Sequence, residues 1–142
     1  MDFKDLDTSE IDAMDHIKLI KEFNSQLFDL LKQLNLMIKD DDIKYYYNAF
    51  NDVIKINNKL VIVPFIQNVL IYSEEIKAKD VNFFLKDNDV VDKYKSDKSV
   101  TSQIFKFKDL FLKLSVPQRE LFFFYLNLLC YISARYFTLT EV

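Results

Sequence analysis

The chain has 142 residues, a net charge of −3 and no glycine. Because glycine lets a backbone approach a phosphate closely, its absence excludes a P-loop, a Rossmann fingerprint and a glycine-rich kinase loop. Half of the residues are apolar and the charge is mildly acidic, which argues against a disordered chain and against a nucleic acid partner.

The same counts predict one all-α domain over residues 1–142. A chain of this length commonly forms a single core, and helices tolerate the lack of glycine better than tight hairpins do. The acidic N-terminal stretch MDFKDLDTSE lacks the features of a secretory signal. Cys130 is the only cysteine, so no disulfide can form within the chain, and we expect a reducing, cytoplasmic location.

The first predicted helix begins near Ser9, which has the spacing of a capping box with Asp12. Apolar residues then recur every three or four positions, as on one face of a helix: Ile20, Phe23, Leu27, Leu30, Leu34 and Met37, widened by Leu31 and Ile38. This stripe predicts a core-facing bundle helix. The alternative is a seam for self-association, as in a short coiled coil.

Two further helices are predicted before residue 80. The helix over 41–55 starts at three aspartates, which suit a helix N-terminus and lack the EF-hand pattern, and its apolar side carries Tyr46, Phe50, Val53 and Ile54. The next helix is expected to run from Asn57 or Asn58 to Lys77 with a kink at Pro64. Alternatively it begins at Pro64, because proline suits the first helical position.

The second half of the chain predicts a short helical turn at 81–85, a polar surface loop at about 86–99 and an amphipathic helix over 100–114. Ser115 and Gln118 then have the spacing of a second capping box, with Pro117 in the first turn of a helix that runs to Phe137.

This last helix contains the run ELFFFYLNLLCYI, in which only Asn127 interrupts the apolar residues after Glu120. A run of this length is more typical of a buried core helix than of a membrane span, which needs about 20 apolar residues. The stripes of the earlier helices also need a common apolar surface to pack on. We therefore predict no membrane span and a bundle of five or six helices around this helix.

No catalytic, cofactor or metal site is predicted. His16 is the only histidine, so a zinc site of several histidines and cysteines cannot form. A nucleophile pair would require a buried thiol at Cys130 to reach an exposed imidazole at His16. The sequence therefore predicts a protein that is not an enzyme.

The residues chosen as a candidate partner-binding surface are Tyr45 and Tyr47, on the exposed side of helix 41–55, and Lys93 and Tyr94, in the loop 86–99. Exposed tyrosines are common at protein interfaces. Nucleic acid is not expected here, because the neighbouring aspartates would repel phosphates.

Four segments carry a resemblance: FNSQLFDLLKQL at 23–34, YNAFNDVIKINNKLVIVPFIQNVLIYSEEI at 47–76, KDVNFFLKDND at 79–89 and FKFKDLFLKLSVPQRELFFFYLNLLCYI at 105–132. Their layout resembles a family of small, uncharacterised helical proteins encoded by giant nucleocytoplasmic DNA viruses. The resemblance implies a viral product made in the host cytoplasm, which acts through protein contacts or is carried in the virion. It implies no activity and no catalytic residue.

The sequence thus favours a non-enzymatic protein–protein interaction module, a viral accessory or minor virion protein that binds a host or viral protein. One alternative is a divergent Bcl-2-like viral regulator, which binds an amphipathic helix in a groove. The other is a homo-oligomeric structural protein that uses the seam of the first helix.

Overall fold

The computed structural model describes residues 7–38, 41–80 and 113–140. These residues form the helices α1 (Ser9–Asp12), α2 (His16–Met37), α3 (Asp41–Ile56), α4 (Ile62–Asn68), α5 (Ser73–Lys77) and α6 (Val116–Thr140), with a 3₁₀ turn at Leu70–Tyr72. The described ranges contain no β-strand, and the prediction of an all-α bundle around an apolar C-terminal helix is confirmed. The helical turn at 81–85, the loop at 86–99 and nearly all of the helix at 100–114 lie outside the described residues, and the single-domain assignment stays a prediction.

Helix α6 is the centre of the bundle and contacts α2, α4 and α5. Eleven of its residues are buried, and they occupy all sides of the helix. A helix that is apolar all round is stable in water only when other helices surround it. The helix extends to Thr140, three residues beyond the predicted end at Phe137.

Helix α2 packs its predicted stripe against the core. The residues Ile20, Phe23, Leu27, Leu30, Leu31 and Leu34 are all buried, and the rings of Phe23 and Phe65 meet edge to face at 5.1 Å. Met37 is an exception, because it lies in the last turn of α2 with 39% of its surface exposed. Ile38, the last residue of the predicted stripe, is half buried and packs against the core, so Met37 is the one member that leaves it.

A helical turn begins at Ser9, as predicted, but Ser9 does not cap it and the turn does not continue into the long helix. The chain forms the single turn α1, breaks at residues 13–15 and restarts as α2, where the Asp15 carboxylate accepts a hydrogen bond of 2.8 Å from the amide of Lys18. Asp12 does not complete a capping box, because its carboxylate accepts a hydrogen bond from the hydroxyl of Tyr131 in α6. Arg135 of α6 also donates to the backbone carbonyl of Asp12 at 3.1 Å.

Helix α3 forms where it was predicted and packs against α2. Phe50 is fully buried, and Tyr46, Val53 and Ile54 pack against the core as half-buried residues. The helix begins at Asp41.

The segment around Pro64 differs from both predictions. Helix α4 begins at Ile62, and Pro64 lies in its first turn, where a missing amide hydrogen breaks no bond within the helix. The residues before it form a turn rather than helix, with the Asn57 side chain accepting from the amide of Lys59 at 2.9 Å. No continuous helix reaches Lys77, since the 3₁₀ turn separates α4 from α5.

The predicted capping box at the start of α6 is formed. The amide of Ser115 donates to the side-chain oxygen of Gln118 at 2.8 Å, and the amide of Gln118 donates back to the Ser115 hydroxyl at 3.4 Å. Pro117 lies in the first turn, as predicted. These bonds satisfy two backbone donors at the end of the central helix.

Candidate interaction surface

Tyr45 lies on the outer side of α3, and 56% of its surface is exposed. Ile43 and Phe50 of the same helix face the core. The ring of Tyr45 contacts the ring of Tyr46 edge to face, with centroids 5.9 Å apart. A rigid, amphipathic ring in this position can bury a large area against a partner at little cost in conformational entropy.

Tyr47 has a different role. It is half buried, and its ring packs against Phe28 of α2 with the centroids 4.9 Å apart. The structure therefore places Tyr47 in the α2–α3 contact and leaves Tyr45 as the more accessible tyrosine. Lys93 and Tyr94 lie outside the described residues, so their part in the candidate surface stays a prediction.

Two exposed apolar residues at the end of α2 were not among the predicted surface residues. Leu36 is 69% exposed and Met37 is 39% exposed. Only residues 38–40 separate them from the start of α3, so they lie at the same end of the α2–α3 hairpin as Tyr45. We call Leu36, Met37 and Tyr45 the corner patch.

The sequence contains a signal for one of these two residues. Leu36 is two positions after Leu34, which is out of step with the three- and four-residue spacing of the buried stripe. Met37 fits the stripe by spacing, but it is in the last turn of α2. Asp41 and Lys44 are exposed near Tyr45 and give the corner patch a charged margin.

The structure gives Cys130 no feature of a nucleophile. The thiol is buried, and burial raises its pKa to about 12, so it stays protonated at neutral pH. His16 is exposed at the first position of α2. Within the described ranges, no three histidine, cysteine or acidic residues lie together as a metal site would require.

A polar contact also ties the central helix to α2. The hydroxyl of Tyr125 in α6 donates a hydrogen bond to the carboxylate of Asp29. Burial of the ring, together with this bond and the negative charge of Asp29, raises the pKa of Tyr125 to about 12. The tyrosine therefore stays neutral and serves as a structural link between the two helices.

Helix α6 is also long and apolar enough to cross a membrane, judged by length and composition alone. The core helix of a water-soluble bundle meets the same criterion when its residues are buried by neighbouring helices. In its most apolar stretch, 61% is buried inside the protein.

A comparison of the chain with protein-family models, with curated proteins and with solved structures finds no match. The resemblance to a giant-virus family therefore stays a prediction, and the candidate surface is defined by the contacts and exposure of this chain's own residues.

Proposed function

We propose that the protein is a non-enzymatic protein–protein interaction module that binds a host or viral protein through the corner patch. The observation that carries the proposal is the exposure of Leu36, Met37 and Tyr45 at one end of a hairpin whose inner face is filled. Full burial of a large apolar side chain contributes about 1.5–3 kcal/mol, so a partner that covered these residues would gain appreciable binding energy.

The chemistry of the corner patch matches the usual anatomy of an interface. Tyrosine is enriched among the residues that dominate binding energy, and Tyr45 is exposed at the same end of the hairpin as a leucine and a methionine. Asp41 and Lys44 supply charges of both signs at the margin, as the polar rim of an interface does. The complementary partner would present an apolar anchor with charged residues around it.

The proposed setting is that of a viral accessory or minor virion protein in the host cytoplasm. It rests on the resemblance of segments 23–34 and 47–76, which form much of α2 and the run from α3 to α5. In this setting the partner would be a host regulator or another virion protein.

A divergent Bcl-2-like regulator is the second candidate, and the central position of the apolar helix α6 favours it. Such a protein holds an amphipathic partner helix by anchors along one helix face. It would bind a peptide of that kind in a long groove, whereas the interaction module would bind through the corner patch.

A homo-oligomer that uses the α2 seam has less support. Ile20, Phe23, Leu27, Leu30 and Leu34 are each at most 4% exposed, because the same chain covers them. Self-association would therefore need a different surface.

The test compares three forms of the tagged protein in crosslinked pull-downs from the cell that produces it. The first is the natural sequence, the second carries Leu36→Ser with Tyr45→Ala, and the third carries Ile71→Ser with Phe137→Ala. The last pair is the matched control, because both residues are exposed and belong to other elements. Mass spectrometry identifies the partner, and titration with the purified partner measures its affinity.

We expect one saturable partner that binds the natural and control forms equally and the corner variant at least about tenfold more weakly. Equal binding by all three forms would contradict the corner patch as the site. Recovery of the protein with only itself would support the homo-oligomer, and saturable binding of an isolated amphipathic peptide would favour the Bcl-2-like alternative.

A further inference from the structure

Helix α1 is too short to be stable by itself. It consists of the four residues Ser9–Asp12, and residues 13–15 separate it from α2. The side chain of Thr8, which precedes the turn, forms no capping hydrogen bond. Because a first helical turn fixes many backbone angles for a single hydrogen bond, an isolated turn does not persist in water. The turn therefore depends on its attachment to the bundle.

Two residues of α1 provide this attachment. Ile11 is buried in the hydrophobic core, whereas Ser9 and Glu10 are exposed. Every hydrogen bond and ion pair that joins α1 to another helix in the described part of the chain involves Asp12. One apolar side chain and one acidic residue thus hold α1 in place.

The contacts of Asp12 are close to solvent. Its carboxylate accepts the hydrogen bond of Tyr131 and lies 3.8 Å from Nε of Arg135, and 47% of the Asp12 side chain is exposed. Solvent weakens an ion pair in such a position. The long helices are held differently, since Leu27 of α2 and Leu129 of α6 lie in a continuous buried core. An element with few buried contacts opens at a lower free energy than such a core does.

We propose that α1 is a clasp, which opens and closes while the helices α2 to α6 stay folded. In the closed state Asp12 bonds to Tyr131 and Arg135, and Ile11 lies in the core. Opening breaks both attachments together, because the two residues are adjacent in one turn. The clasp precedes α2 and is separate from the corner patch, which begins in the last turn of that helix.

The test is native-state hydrogen exchange of the full chain, measured by NMR at urea concentrations below the unfolding transition. The amides of Asp12 and Ala13 report on the clasp, because they donate to the carbonyls of Thr8 and Ser9 at 2.9 and 3.2 Å. The amide of Leu129 reports on the bundle. We expect the clasp amides to be protected, yet to exchange at least about a hundredfold faster than that of Leu129. Their exchange should also depend less on urea, since opening of α1 exposes little surface.

A pair of variants on the same turn tests the part that Asp12 plays. Asp12→Ala should accelerate exchange of the Ala13 amide at least about tenfold, because the clasp loses a charged hydrogen-bond acceptor. Glu10→Ala is the matched control, since Glu10 is exposed and bonds to no other helix among the described residues. It should leave the exchange rate unchanged. Equal rates in the two variants would overturn the role of Asp12.

A core variant separates local opening from global unfolding. Phe123→Leu weakens the core in both the closed and the open state, so it should accelerate exchange of the Leu129 amide and leave the Ala13 amide unchanged. Acceleration of both amides by the same factor would overturn the proposal, because α1 would then open only when the whole bundle unfolds. Clasp amides without protection would overturn it as well, because α1 would then have no closed state.

Discussion

Lys79 adopts a left-handed backbone conformation that is usually found at glycine. It follows α5 with a positive φ of 54°, the left-handed conformation of a helix C-terminus. The amide of Asp80 donates to the carbonyl of Glu75 and that of Lys79 to the carbonyl of Ile76, each at 3.1 Å, which is the Schellman pattern. A side chain in this conformation costs roughly 1–2 kcal/mol. The Lys79 ammonium offsets part of this cost by its 2.8 Å ion pair with Glu120 of α6.

Replacing Lys79 with glycine should therefore stabilise the protein once the ion pair is taken out of the comparison. In a Glu120→Gln background, Lys79→Gly should raise the free energy of unfolding by about 0.5–1 kcal/mol, because relief of strain exceeds the extra freedom of the unfolded chain. Ala78→Gly is the control, since Ala78 has a right-handed φ of −73° and should lose stability instead. Urea unfolding measures both changes; a loss of stability in both variants would contradict the strain argument.

Cys130 should make the folded state sensitive to alkaline pH. Burial raises the thiol pKa from 9.0 to about 12, while the unfolded chain ionises near the ordinary value. Above pH 9 the unfolded state therefore binds fewer protons than the folded state, so stability falls as pH rises, by at most about 1.4 kcal/mol per pH unit, until the folded thiol also ionises. Cys130→Val, measured by urea unfolding at pH 8, 9 and 10, should show a flatter decline than the natural protein.

The difference between the natural protein and Cys130→Val reports the contribution of the thiol alone, because the lysines and tyrosines titrate in both forms. Tyr125 contributes a decline of the same sign, since its folded pKa is also raised to about 12, and this contribution is common to both proteins. Parallel stability curves from pH 8 to pH 10 would show that the thiol ionises equally in the folded and unfolded states.

Among the elements, α2 is capped by Asp15 and not by Ser9, where the capping-box spacing predicted the start. Asp15 accepts the hydrogen bond from the amide of Lys18, while Ser9 belongs to the separate turn α1. Asp15→Ala should lower the free energy of unfolding by about 1 kcal/mol, since an orphan amide of a core helix loses its partner. Ser9→Ala should change stability by less than about 0.5 kcal/mol. The two variants are compared by urea unfolding. A larger loss of stability in Ser9→Ala than in Asp15→Ala would contradict the role of Asp15 as the cap.

The elements also show which features sequence reasoning can reach. The capping box of Ser115 and Gln118 was predictable because its partners are three residues apart and need no other part of the chain. The break before α2 was not, because Asp12 bonds to Tyr131 and Arg135, more than a hundred residues away. Pro64 allowed two interpretations, and the start at Ile62 depends on the turn held by Asn57.

At the scale of the whole molecule, the apolar stripes predicted the core well and the surface poorly. Periodicity identifies residues that share a helix face, so the burial of Phe23, Leu27 and Phe50 followed from spacing alone. Periodicity does not say where neighbouring helices end. Tyr45 and Tyr47 were equivalent by sequence, and only the contact with Phe28 distinguishes them.

The position of α6 inside the bundle leads to a prediction that uses two phenylalanines of the same helix. Phe123 is 1% exposed and Phe137 is 44% exposed. Phe123→Ala should lower the free energy of unfolding by about 3–5 kcal/mol, because it leaves a cavity in the core, and Phe137→Ala by less than about 1 kcal/mol. Urea unfolding in detergent-free buffer, followed by circular dichroism, measures both.

Phe123→Leu, with an expected loss of roughly 1–2 kcal/mol, keeps the comparison measurable if the alanine variant does not fold. In a bilayer, α6 would expose both phenylalanines to lipid, so the two alanine variants would differ little and the protein would need detergent to stay dispersed. A large difference between Phe123 and Phe137 in water would therefore establish α6 as the core on which α2, α4 and α5 pack. Such a difference requires that Phe123 is buried by the other helices while Phe137 faces solvent.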